Sequence, residues 1–164
     1  MNRLYSIFSV ALCLLLLQSC SWLGPDPQKQ KEARLGLDQA VAQLPQVKEL
    51  AIVKVVYYDV FDNEHGTNSN DTCYYARAYF VIGTQLSVTE ALDTYARQLE
   101  LLGWVPRNDQ YPTSRVLYHG PNELLVIESG APGAELENAV DYNELRKIYR
   151  NIVFLNLTYA LQSC

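Results

Sequence analysis

The run Leu50–Phe61, LAIVKVVYYDVF, constrains this chain most. Branched and aromatic residues stand on both parities, so it reads as a β-strand covered on both faces. A polar stretch, Asp62–Thr72, separates it from a second strand, Cys73–Gly83. There Tyr74, Ala76, Ala78, Phe80 and Ile82 fall on one face, and Cys73, Tyr75, Arg77, Tyr79 and Val81 on the other.

A helix must follow. Ser87 and Glu90 have the spacing of a capping box, and Val88, Leu92, Tyr95, Leu99 and Leu102 recur as one apolar stripe. Gly103 suits the left-handed residue that ends a helix, with Trp104 folding back on the last turn. Pro106–Pro112 reads as a loop, and Arg115–His119 and Glu123–Glu128 as a hairpin about Gly120-Pro121-Asn122. Asp141 and Glu144 can cap a short helix near Tyr142–Tyr149, and Ile152–Gln162 reads as the last strand. Leu35, Leu37, Val41 and Leu44 suggest a further short helix ended by Pro45.

These elements imply one α+β domain: a single antiparallel sheet of about five strands, with helix Ser87–Leu102 packed on one face. The alternative adds the N-terminal helix on the second face. The expected organisation is a leader over 1–19, a tether over 20–33 and the globular domain over 34–164.

The leader begins with Asn2-Arg3, continues through an apolar run from Ile7 to Leu17, and closes on Leu17-Gln18-Ser19-Cys20. The run is short for a bilayer span and has the layout of a secretory signal. Its closing tetrad resembles the lipobox of bacterial lipoprotein precursors. That resemblance implies cleavage before Cys20, acylation of Cys20 (palmitate-type chains) and an extracytoplasmic, membrane-anchored domain. Ser21, rather than Asp, after Cys20 implies the outer membrane where the source has two. Trp22 and Leu23 could rest at the bilayer interface.

Of four cysteines, Cys13 leaves with the signal and Cys20 takes the lipid. Cys73 and Cys164 remain, and an oxidising compartment favours a disulfide between them; two free thiols are the alternative. Placing Cys73 opposite Cys164 sets a register in which Ala76 meets Leu161, Ala78 meets Tyr159, Phe80 meets Leu157 and Ile82 meets Leu155.

The net charge of -5 has no basic stripe within it, which argues against nucleic-acid binding. No nucleophile elbow, P-loop or dinucleotide fingerprint occurs. His65 and His119 are the only histidines, and neither has zinc-ligand spacing, so no cofactor or metal is implied. The acidic loop Asp59–Asp71 fails the EF-hand template, because counted from Asp62 the twelfth position, which needs a bidentate Glu, is Cys73.

The candidate binding face is therefore the tyrosine-bearing side of the sheet: Tyr58, Tyr75, Arg77, Tyr79 and Thr158. Flat rings beside an arginine suit stacking on sugars or gripping a peptide. The competing reading has these rings covered by the N-terminal helix or by Ala131–Asn151. The functional expectation is a membrane-tethered, non-catalytic binding or adaptor domain that meets an envelope protein or cell-wall polymer. The rival is an envelope hydrolase or small-ligand carrier with a pocket near His119 or His65.

Overall fold

The computed structural model describes residues 26–62, 73–108, 111–129 and 140–161. Helix α1 spans Pro27–Ala42, strand β1 Leu50–Asp62, β2 Cys73–Thr84 and helix α2 Val88–Leu101. Strands β3 (Val105–Pro106), β4 (Ser114–His119) and β5 (Glu123–Glu128), helix α3 (Tyr142–Ile148) and strand β6 (Asn151–Ala160) complete it. The strands form one six-stranded sheet in the order β1-β2-β6-β5-β4-β3, every pair antiparallel. The α+β class is as the sequence implies. The sixth strand, β3, is a two-residue piece pairing with Tyr118 and Leu117, too short for periodicity to announce.

Both long helices lie on the same face. Ala33, Leu37 and Ala40 of α1 join Ala91, Leu92, Tyr95, Ala96 and Leu99 of α2 over Ala76, Ala78, Phe80, Ile82, Leu125, Ile127, Leu155 and Leu157. This corrects the alternative that sets the N-terminal helix on the second face. Helix α1 also begins well before Leu35. Asp26 caps it by accepting from the Gln28 N–H at 2.9 Å, and Pro27 supplies a preset φ where no donor is needed. Tyr74 holds the same end, its hydroxyl accepting from the Asp26 N–H at 2.8 Å.

Helix α2 is built as its sequence requires. Ser87 and Glu90 close a reciprocal capping box. At the other end Gly103 has φ 91, its N–H donates to Glu100 and that of Trp104 to Leu99, which together make a Schellman cap. Arg115 ties this helix to β4, donating from Nη2 to Asp93 Oδ1 at 2.7 Å and from Nε at 2.9 Å.

Strand β2 lies inside the sheet and β1 is its edge, covered on both faces only in part. Val55 packs into the main core and Val53 and Val56 into the smaller one, while Ile52 (47%) and Tyr57 (38%) stay exposed. Strands β2 and β6 are antiparallel neighbours, but two residues away from the register that sets Cys73 opposite Cys164. Ala76 meets Tyr159, Ala78 meets Leu157, Phe80 meets Leu155 and Ile82 meets Val153. A slip of two residues keeps every side chain on its face, so alternation cannot exclude it. Tyr159 supplies a reason for the choice: its ring sits across from Ala76 and against Gly36 of α1, where no Cβ intrudes. Cys164 lies outside the described residues, and with it the disulfide.

The second face is only partly covered. Asp141 caps α3 through the Asn143 and Glu144 N–H groups, and Leu145 packs with Val81 and Phe154. Tyr149 lies against Gly83, which has no side chain to hold it off. Tyr79 belongs to this smaller cluster. Among the described residues no helix packs over the rest of that face.

Candidate functional site

The register assembles two rows of side-chain positions across the open face. Tyr58, Arg77, Thr158, Leu124 and Tyr118 face one another in turn from β1 to β4. The adjoining row is Val56, Tyr79, Asn156, Val126 and Val116. The positions expected from the sequence do converge, because Arg77 stands between Tyr58 and Thr158 and is flanked along β2 by Tyr75 and Tyr79. Tyr58 enters by backbone position alone, since its side chain lies outside the description.

Arg77 is the chemical centre of this face. Its guanidinium carbon lies 4.7 Å from the centroid of the Tyr75 ring, a cation–π contact worth about 0.5–2 kcal/mol. Its Nε is buried and donates to nothing, the one such side-chain atom among the described residues. An orphaned buried donor costs about 1–3 kcal/mol, so this atom lowers the stability of the fold. No carboxylate within the described residues pairs with it.

The surroundings grade from donor to apolar. The Thr158 hydroxyl donates to Asn156 Oδ1 at 3.5 Å, and the Asn156 amide N–H groups meet no acceptor among the described residues. Beyond them Leu124 and Val126 are partly buried, and Tyr118 is 40% exposed. Asn156, Leu124, Val126 and Tyr118 were not in the sequence-derived set. Their even numbering in β6, β5 and β4 carried the signal, since Leu125, Ile127, Leu155 and Leu157 claim the core side.

The histidine reading fares differently. His119 Nδ1 lies 2.7 Å from Glu123 Oε2, and its ring stacks on Trp104 at 5.2 Å between centroids. This pair closes the β4–β5 hairpin, where His119 faces Glu123 directly. Ser114 sits at the other end of β4, about 17 Å away along the strand, so the two do not form a nucleophile–base pair. A cleft of about 420 Å³ is lined by Asp93, Ala96, Arg97, Glu100, Pro106, Arg115 and Leu117, and His119 is not among them. A second, of about 460 Å³, lies between Pro45–Lys48 and Tyr95. His65 lies outside the described residues, as do Cys20 and most of the acidic loop.

Among the described residues no three of His, Cys, Asp or Glu gather as a metal ion would need. No described helix is long and apolar enough to cross a membrane. Neither protein-family models, curated proteins nor solved structures yield a match to this chain.

Proposed function

We propose that this chain is an envelope lipoprotein, anchored through Cys20 to the extracytoplasmic side of a bacterial membrane, that acts as a non-catalytic binding or adaptor domain. Its docking surface is the open sheet face around Tyr75, Arg77, Asn156 and Thr158. The observation that carries this reading is Arg77. A half-buried guanidinium held on the Tyr75 ring, with no carboxylate paired to it among the described residues, supports a partner's oxygen as its acceptor. The two long helices pack on the opposite face, so the main core is closed without using this surface, and α3 covers only the end of it near Val81 and Phe154.

The anchor fits the geometry of α1. From Cys20 to Asp26 the chain spans at most about 20 Å, so a lipid on Cys20 would hold the folded domain close to the bilayer. The Asp26–Tyr74 hydrogen bond continues that attachment into β2, the strand that bears Arg77. Envelope proteins or cell-wall polymers are the partners such an address offers.

The test is in-cell crosslinking of the tagged full chain, detergent extraction and mass spectrometry, with Cys20→Ala in parallel. The proposal predicts an acylated Cys20 and specific envelope partners recovered only with the lipidated form. Partners recovered equally with Cys20→Ala, or an unmodified Cys20, would contradict the anchored adaptor.

A further inference from the structure

We infer that the partner's contribution to this face is a single carboxylate on an extended peptide, received by Arg77. The inference rests on the proposed docking surface and names its ligand chemistry.

Arg77 is the one charged residue in the two rows, and its row neighbours are neutral: Thr158 and Leu124, with Asn156 and Val126 beside them. Recognition of phosphate uses clusters of cations, whereas one planar guanidinium matches one carboxylate, oxygen for N–H. Asn156 adds neutral donors on the neighbouring pair of positions, Tyr79 and Asn156. The guanidinium rests over the Tyr75 ring, a contact that reduces the freedom lost when the acceptor arrives.

The apolar flank argues for a peptide. Leu124 lies two strands from Arg77, about 10 Å across the sheet, which is roughly three residues of extended chain. A carboxylate at Arg77 would thus place an apolar side chain of the same peptide over Leu124 and Tyr118. A free phosphate would leave that surface unused.

The experiment follows the Arg77 Nε–Hε resonance and the Tyr75, Asn156 and Thr158 amides by NMR, using the full chain in detergent micelles. The probes are acetyl-Leu-Ser-Ser-Glu-amide, its Gln counterpart, a peptide ending Leu-Ser-Ser-Ala with a free C-terminal carboxylate, and inorganic phosphate. The Glu peptide or the free-carboxylate peptide should move Arg77 and bind roughly tenfold or more tightly than the Gln peptide. Which of those two binds better identifies the carboxylate as side-chain or C-terminal. Arg77→Met should abolish the preference, and Arg77→Lys should keep a weaker one. Equal binding of the Glu and Gln peptides overturns the carboxylate assignment while leaving the docking surface standing. Movement of Arg77 by phosphate alone also overturns it. No movement by any probe overturns it as well, and photo-crosslinks to partners from this same face would then show that the docking surface itself survives.

Discussion

Gly36→Ala is the most discriminating test of how α1 is seated, and hence of which sheet face stays open. In an exposed helix this change gains about 1 kcal/mol, because alanine has less backbone freedom to lose. At Gly36 an added Cβ would stand 2.7 Å from Tyr159 Cδ1 and closer still to Cε1 and Cζ. Ordinary contact is 3.4–4 Å, so either the ring or the helix must retreat by roughly 1 Å. Overpacking of this kind costs about 1–3 kcal/mol, which leaves a net loss of up to about 2 kcal/mol. In a Tyr159→Val background the obstruction is gone, and the same substitution should stabilise by up to about 1 kcal/mol. Urea unfolding followed by circular dichroism reads all four corners of this cycle. The predicted coupling is about 1–3 kcal/mol, taking the substitution from neutral or destabilising to stabilising. If Gly36→Ala stabilises the protein whether or not Tyr159 is present, α1 does not rest on Tyr159 and the assignment of faces fails.

Other consequences follow from single groups. Arg77→Met removes the orphaned Nε while keeping an unbranched apolar stem, so unfolding should show a gain of about 1 kcal/mol; a clear loss would mean the guanidinium has a partner in the native protein. Ser87→Ala should cost about 1 kcal/mol through loss of the α2 cap. The Ser87 hydroxyl, then its backbone N–H, hold the Glu90 carboxyl below its ordinary value, with Arg150 assisting. That stabilisation is present above the unfolded carboxylate range and is lost as pH falls through it to the folded value; Glu90→Gln should flatten the dependence in an acid titration of stability. Burial raises the Tyr95 phenol well above its ordinary value, so above pH ~10 the unfolded chain releases a proton the folded one keeps. Stability should therefore fall at alkaline pH, and less steeply in Tyr95→Phe.

What the sequence made legible was mostly local. The Ser87–Glu90 box, the Gly103 stop, the Asp141 cap and the β4–β5 hairpin each depend on residues within a few positions, and each is where the pattern puts it. Alternation likewise sorted Tyr75, Arg77 and Tyr79 from Ala76, Ala78 and Phe80 correctly. It could not set the β2–β6 register, because registers two residues apart present identical faces. Apolar residues on both parities of β1 looked like double coverage, although the strand is an edge with one small cluster on its second side. The start of α1 was hidden by a polar run from Gln28 to Glu32, even though Asp26-Pro27 is a good helix opening. At the candidate site, residue types and faces were readable, whereas the unpaired Nε of Arg77 was not. That property belongs to the packed neighbours, which no spacing rule encodes.

The central claim is that the open sheet face, and not the helical one, meets a partner at the membrane. A photo-crosslinking amino acid placed in cells at Thr158 or Leu124, and separately at Gln98 on the exposed side of α2, tests it most directly. The account predicts discrete adducts from Thr158 and Leu124 that weaken with Arg77→Met and disappear with Cys20→Ala, and none from Gln98. Adducts from Gln98 alone, or adducts indifferent to both substitutions, would contradict it.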